Sequence, residues 1–181
     1  TASTNARHLL GLISDILDLS KIEKGKLELE SEACVPSDEI AAAVSFFRAQ
    51  AGYRKITLRS DIALTPECLG DALRLRQIVA NLVGNAMKFT PEGGEVSVSV
   101  SAKTEEHQCV LKVSVADTGI GMTKEQLAMI FDPFTQAELS IAKRFGGTGL
   151  GLSISARLVS LMGGTLRAES EQGKGSRFSF D

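Results

Sequence analysis

The sequence is poor in the residues that most often build metal and redox sites. Its 181 residues include two histidines and three cysteines. The cysteines are odd in number and lack the spacing of metal ligands, so we interpret them as reduced thiols of a cytosolic protein, without a role in function. They are Cys34, Cys68 and Cys109.

Long apolar runs and a strong excess of charge are also missing. No run approaches the roughly 20 apolar residues that cross a bilayer, and no signal peptide opens the sequence, so we expect no membrane contact by this chain. The net charge is −2, which does not favour nucleic-acid binding. The composition, 43% hydrophobic and 23% charged, is typical of a soluble globular protein. The length allows one domain with a core and an appendage.

The most informative stretch is 71–90, which predicts one helix with two different faces. An apolar stripe recurs at steps of three and four and is predicted to face the core. It consists of Leu75, Val79, Leu82, Ala86 and Phe89. Asp71 is the expected N-cap, and the segment from Thr90 to Gly94 predicts a turn at the other end.

A polar line lies on another face of the same helix. Asn81, Asn85 and Lys88 recur at helical steps, over about two turns. Amide oxygens suit a hard cation such as magnesium, and an ammonium group suits phosphate. The alternative interpretation is a solvated helix face.

Residues 3–23 predict a second helix with a wide apolar face. Its spacing of three and four is typical of a helix bundle, so we expect it to dimerise or to pack on a preceding helix. The alternative is that it folds back on its own domain. The positions that carry the spacing are Leu9, Leu12, Ile16 and Leu19.

The remaining elements predict an α+β fold. We expect a short edge strand at Leu27–Leu29, a helix over 37–51 with Ser37 or Asp38 as N-cap, and a helix over 150–162. Strands are predicted at 55–62, 68–69, 95–101, 109–117, 165–170 and 176–180. In 95–101 and 109–117 apolar residues alternate with small or polar ones, which predicts a sheet covered by helices on one face only.

Two glycine-rich segments indicate a ligand site. Asp117 falls on the core side of its strand, and Gly119 and Gly121 follow it, so this carboxylate could accept a hydrogen bond from the amine of a purine. The alternative is an Asx turn at the strand end. The second segment, 146–152, opens a helix and is suited to binding an anion, although it is neither a Walker A motif nor a dinucleotide fingerprint.

The residues before the second glycine segment predict a lid. The stretch 133–147 has weak periodicity, and so long a loop in a compact domain usually has a function. Lys143 and Arg144 lie just before the glycines and could reach a terminal phosphate. Alternatively, they are solvated surface charges.

Five motifs together resemble a known family. NLVGNAMKF, DTGIG, FDPF, GGTGLGL and GKGSRF closely resemble, in this order, the N, G1, F, G2 and G3 boxes of the ATP-binding domain of histidine kinases, and of hybrid sensor kinases in particular. The resemblance implies a two-layer α/β sandwich of the GHKL (Bergerat) type, with a mixed, mostly antiparallel sheet. The start of the sequence resembles the second helix of the dimerisation domain, so the expected domains are 1–25 and 26–181.

The resemblance also implies roles for individual residues, with ATP and Mg²⁺ as cofactors. Asn85 would bind magnesium, Asn81 would support it near the phosphates, and Lys88, Lys143 and Arg144 would act on the phosphates. Asp117 would take the adenine amine. Phe131 and Phe134 would anchor the lid. The other expected nucleotide contacts are Phe89, Gly119, Ile120, Gly121, Phe134, Gly147, Thr148, Gly149, Leu150 and Gly151.

Two departures from related patterns shape the expected function. Gyrase and the Hsp90 chaperones have a water-activating Glu where this chain has Asn81, so phosphoryl transfer fits better than fast hydrolysis. His8 lacks the following acidic residue and proline of a phosphoacceptor, and His107 falls in a hairpin turn. We therefore expect transfer from ATP to a histidine on an absent upstream helix, within a homodimer, and then phosphorelay to a response-regulator receiver domain. An ATP hydrolase and a binding module without phosphotransfer are the alternatives.

Overall fold

A computed structural model describes residue 13 and residues 16–22, 24–105, 108–133 and 149–181. Within these ranges the principal unit is a five-stranded sheet with helices on one face. Its strands are β2 Thr57–Ile62, β4 Glu95–Glu105, β5 Gln108–Asp117, β6 Leu166–Glu171 and β7 Gly175–Phe180. A separate two-stranded sheet pairs β1 Glu32–Cys34 with β3 Cys68–Gly70.

The order of the large sheet is β2-β4-β5-β7-β6. Strand β2 runs parallel to β4, and every other pairing is antiparallel. The predicted α+β class with a mixed, mostly antiparallel sheet is therefore confirmed. The alternation of β4 and β5 also holds, since Val96, Val98, Val113 and Val115 are all at most 1% exposed.

Five helices follow β1 in the described part of the chain, and all but the short helix at 124–129 bury residues in the core. They are α1 Pro36–Ser45, α2 Arg48–Tyr53, α3 Ala72–Phe89, α4 Lys124–Met129 and α5 Gly151–Leu161. Helix α3 lies at the centre of the core: Ile78, Val79, Leu82 and Val83 are completely buried. The predicted stripe on α3 is confirmed except at Phe89, which is half-buried at the end of the helix.

The expected single helix over 37–51 is wrong, because the structure has two helices that break at Phe46 and Phe47. The turn brings the Phe47 ring against α3, where a Cβ added at Gly84 would lie 3.6 Å from it. The expected N-cap is also wrong. Val35 is the N-cap, and Pro36 opens the helix, where its fixed φ is favourable. Ser37 is buried instead, and its backbone amide donates to the Thr65 hydroxyl at 3.0 Å.

Two other elements differ from expectation. No strand forms at Leu27–Leu29; β1 begins at Glu32 and pairs with β3. Helix α4 was not predicted, although a capping box marks its start, in which Thr123 and Gln126 each accept a hydrogen bond from the other's backbone amide.

The described part of the amino-terminal helix, 16–22, has two kinds of surface. Leu19 is 8% exposed and packs into the core, and Asp18 accepts hydrogen bonds from Arg74 of α3 at 2.8 and 3.3 Å. Ile13, Ile16 and Leu17 remain about half exposed, at 47%, 52% and 55%. The helix therefore contacts its own domain on one side, and its other side is open. Leu9 and Leu12 lie outside the described residues.

Candidate functional site between helix α3 and the loop after β5

The amino-terminal end of α3 is fixed by Asp71. Its carboxylate accepts hydrogen bonds from the backbone amides of Arg74 at 2.9 Å and of Glu30 at 3.0 Å. The predicted N-cap is thus confirmed, and it also holds the segment before β1. With its start anchored, α3 runs as 18 regular residues that present Asn81, Asn85 and Lys88 on one half-buried face.

Asn81 bridges α3 and the first turns of α5. Its Nδ2 donates to the hydroxyl of Ser155 at 2.8 Å. A Cβ added at Gly151 would overlap the Oδ1 of Asn81 and lie 3.0 Å from its Cγ, so only glycine allows this approach. Asn85 follows one turn later, with its Nδ2 at 3.5 Å from the Oδ1 of Asn81. The oxygen of Asn85 is therefore the atom that could face a cation.

The carboxyl end of α3 docks on the loop that follows β5. The backbone amide of Ile120 donates to the carbonyl of Phe89 at 3.3 Å. A Cβ at Gly119 would lie 2.6 Å from both that carbonyl oxygen and the Oδ1 of Asp117. Lys88 extends its ammonium to 4.8 Å from the centre of the Phe89 ring, and burial lowers the pKa of this lysine. The carboxyl end of the amide-bearing helix is therefore in contact with the loop that follows the acidic end of β5.

The alternative interpretation of Asp117, an Asx turn at the strand end, is confirmed, and its role in binding a purine amine stays a prediction. Its Oδ1 accepts from the backbone amide of Gly119 at 2.8 Å, which is the predicted Asx turn. Burial raises the pKa of the carboxyl, against the lowering effect of backbone hydrogen bonds from Gly119 and Ser176. One oxygen is thus fixed by the loop, and the carboxyl as a whole is placed where its ionised form is disfavoured. Such a group is a candidate for ligand recognition.

The hairpin between β6 and β7 braces the same loop. Gly121 has a φ of +62°, and a Cβ there would overlap the carbonyl oxygen of Glu171. The amide of Gly173 donates to the carbonyl of Ile120 at 2.8 Å. At Gly175, with a φ of +109°, a Cβ would overlap the carbonyl oxygen of Asp117. The sequence alone identified the GKGSRF segment only as a turn and a motif. In the structure its backbone packs directly against that of Asp117.

This bracing leads to a prediction for Gly121→Ala. We expect a loss of about 2–3 kcal/mol in the free energy of unfolding, because the variant combines an unfavourable φ with a backbone clash. Gly93→Ala is the matched control, since Gly93 has a φ of +83° but nothing within 4 Å of an added Cβ. That variant should lose only about 1 kcal/mol in urea denaturation. Equal losses would show that the contact with Glu171 contributes nothing.

The glycine segment before α5 is described only in part. Helix α5 begins at Gly151 with Leu150 as its N-cap, one residue later than expected, and ends at Leu161. Gly149 has a φ of +71°, and the Leu150 side chain is 1% exposed. Phe131 packs against the core. Other expected site residues lie outside the described ranges: Phe134, Lys143, Arg144, Gly147 and Thr148. So do His8 and His107.

A large cleft of about 880 Å³ lies at the other end of these elements. Its walls come from the start of α3, the start of β5 and the end of α5. The candidate site described above lies instead at the end of α3, the end of β5 and the start of α5. All three cysteines line it as free thiols. Within the described residues no group of three His, Cys, Asp or Glu side chains is placed to hold a metal ion.

The comparison with known families shows which family the chain belongs to. The family described as histidine kinase-, DNA gyrase B- and HSP90-like ATPase matches residues 70–181, the segment that contains α3, β5 and α5. The chain belongs to this ATPase family. The resemblance predicted from the five motifs is thereby confirmed.

Individual members of the ATPase family are also similar over nearly the whole chain. The sensor histidine kinase GacS of Pseudomonas protegens is 42% identical over 98% of this chain and 20% of its own length. The histidine-protein kinase BarA of Escherichia coli is 40% identical, over 99% of the chain and 20% of BarA. The chain thus spans about a fifth of these relatives.

A solved structure of the family extends the likeness to three dimensions. The crystal structure of full-length ShkA in complex with AMPPNP matches with a TM-score of 0.80 and 33% identity, over 96% of this chain and 35% of ShkA. In the described part of the chain, no helix combines the length and the apolarity that crossing a membrane requires.

Proposed function

We propose that this chain is the ATP-binding catalytic part of a sensor histidine kinase. It binds ATP with Mg²⁺ and supplies the γ-phosphoryl group to a histidine on an upstream helix. The observation that carries the proposal is the docking of Ile120 and Gly119 on the carbonyl of Phe89, because it places the loop after Asp117 against the end of the helix that bears Asn81 and Asn85. A purine at one end and phosphates at the other match the chemistry of these groups.

The side chains present fit a magnesium ion that is held mainly by the nucleotide. Asn85 offers an amide oxygen, and Asn81 lies one turn before it. Magnesium commonly takes few protein ligands and keeps phosphate and water oxygens around it, which suits a face without carboxylates. Lys88 would neutralise phosphate charge, and burial lowers the pKa of its ammonium group. The bound ion would hold the phosphates in a fixed geometry.

Hydrolysis of ATP by water is the less favourable alternative. Asn81 occupies the place where a general base would stand, and its nitrogen is already bonded to Ser155. An amide cannot accept a proton from water at neutral pH, so the chain can orient a phosphoryl group but lacks a base at this position. Transfer to an external nucleophile fits this arrangement.

The partner helix and the dimer are further parts of the proposal. The exposed Ile13, Ile16 and Leu17 leave an apolar surface on the amino-terminal segment, which suits pairing with a second chain and with a helix that carries the phosphoacceptor histidine. We propose that 1–25 belongs to the dimerisation region and 26–181 to the catalytic domain. A response-regulator receiver domain would then take the phosphoryl group.

Two measurements test the proposed function. Titration with a fluorescent ATP analogue should show binding that tightens when Mg²⁺ is added. With γ-labelled ATP, the chain alone should remain unlabelled, including at His8, and label should move to the acceptor helix pair of a relative such as GacS when that is added. Stable label on His8, or phosphate release that outpaces transfer, would contradict the proposal.

A further inference from the structure

We propose that Ser155 is a positioning residue, which acts through Asn81 to orient the magnesium-binding face of α3. The inference rests on the proposed function and adds a residue that none of the five motifs contains. Its basis is the hydrogen bond from the Nδ2 of Asn81 to the Oγ of Ser155, 2.8 Å long, between residues 74 positions apart. Ser155 is 2% exposed, so water cannot easily replace its hydroxyl.

The surroundings leave Asn81 little freedom on its other side. Its Oδ1 lies 2.3 Å from the position that a Cβ of Gly151 would take, and Gly151 and Ser155 are four residues apart on one face of α5. Gly151 has no side chain and so leaves room for the amide of Asn81. The hydroxyl of Ser155 accepts a hydrogen bond from the nitrogen of that amide. The amide plane of Asn81 is therefore held from α5 as well as by Asn85 of its own helix.

The orientation of Asn81 determines what Asn85 meets. The Nδ2 of Asn85 lies 3.5 Å from the Oδ1 of Asn81, so a rotation of Asn81 would replace an acceptor with a donor at that point. Asn85 would then rotate its own amide group, and its oxygen would no longer point towards the bound cation. Groups that orient metal ligands in this indirect way typically change metal affinity by about 10- to 100-fold when they are removed.

Helix α5 also provides a matched control. Ser153 is 3% exposed, on the same helix, but its hydroxyl donates to the carbonyl of Leu150 at 2.8 Å. Replacement of either serine with alanine removes one buried hydroxyl from α5. The replacement at Ser155 removes the hydrogen bond to Asn81 of α3, whereas the replacement at Ser153 removes a hydrogen bond within α5. A difference between the two variants therefore reports on the hydrogen bond to Asn81.

The test compares Ser155→Ala, Ser153→Ala and Ser155→Thr by titration with a fluorescent ATP analogue, with Mg²⁺ and with a chelator. For Ser155→Ala we expect the gain in affinity caused by Mg²⁺ to fall about tenfold, with affinity in chelator within twofold of the unaltered protein. Ser153→Ala should keep the full gain. Ser155→Thr retains the hydroxyl and should recover most of it. The melting temperatures of the two alanine variants without nucleotide should fall by similar amounts.

A double-mutant cycle with Asn81→Ala separates an indirect effect from a direct one. If Ser155 acts through Asn81, adding Ser155→Ala to the Asn81→Ala variant should change the Mg²⁺ response by less than twofold. Equal Mg²⁺ responses in Ser155→Ala and Ser153→Ala would overturn the inference, and so would a loss that is the same with and without Mg²⁺. Failure of the unaltered protein to bind ATP would instead overturn the proposed function.

Discussion

Replacing Asp117 with asparagine should weaken ATP binding about 100-fold without weakening the fold. The amide of Gly119 needs an acceptor at Oδ1, 2.8 Å away, so the new side chain must keep its oxygen there. Its nitrogen then stands in the place of Oδ2. If that atom receives the adenine amine, two donors meet, and a mismatch of this kind costs about 3 kcal/mol.

The same geometry predicts a change in base preference. The unaltered protein should bind ATP much more tightly than inosine triphosphate, which has a carbonyl in place of the amine. In Asp117→Asn the new nitrogen can donate to that carbonyl, so the ratio of the two dissociation constants should fall to about one or invert. Asp61→Asn, an exposed change on β2, should leave both constants as they are. A preserved preference for ATP would remove Asp117 from the base site.

Stability distinguishes recognition from a structural role at Asp117. Burial raises the pKa of this carboxyl in the folded chain above its ordinary value of 3.8. Its contribution to stability is therefore complete below that value and is lost as the pH rises through the raised pKa. At pH 7 the buried ionised group disfavours folding, which offsets the acceptor oxygen that asparagine takes from the amides of Gly119 and Ser176, so the variant without nucleotide should melt at about the same temperature. A large drop would mean that the carboxylate mainly holds the loop.

The positions of the polar site residues could be predicted because helices and strands place side chains at regular intervals along the sequence. A helix places Asn81, Asn85 and Lys88 in line whatever its surroundings, and a strand places Asp117 on the side of Val113 and Val115. Local capping chemistry likewise predicted the start of α3 at Asp71 and would have predicted α4 from Thr123 and Gln126. These features depend on residues only a few positions apart.

Features that depend on distant residues could not be predicted in this way. The break at Phe46 and Phe47 reflects the packing of Phe47 beside Gly84, which overrides a continuous helical pattern. The hydrogen bond from Ile120 to Phe89 joins two backbone groups, so it does not depend on the side chains and cannot be recognised from the sequence. The sequence does place a hydroxyl, that of Ser155, one helical turn after Gly151. Nothing in the neighbouring residues indicates that this hydroxyl contacts Asn81.

Asn85→Ala should remove the dependence of ATP binding on Mg²⁺. The oxygen of Asn85 faces away from Asn81, and alanine has no group that could replace it as a ligand. We expect the gain in affinity on adding Mg²⁺ to fall to about twofold or less, while binding in chelator stays within about twofold of the unaltered protein. Alanine is the best helix former, and Asn85 is half-buried, so α3 should keep its structure.

Asn85→Asp provides the complementary result for the same position. A carboxylate is a good magnesium ligand but repels bare phosphates, so this variant should bind ATP poorly in chelator and regain affinity when Mg²⁺ is added. Asn85→Ala should therefore lose affinity only in the presence of Mg²⁺ and Asn85→Asp only in chelator, a pattern that general damage to the site would not produce. An alanine variant that still responds fully to Mg²⁺ would show that the ion binds elsewhere. The role of Ser155 would then end with that of Asn85, because its only proposed route to the ion passes through this side chain.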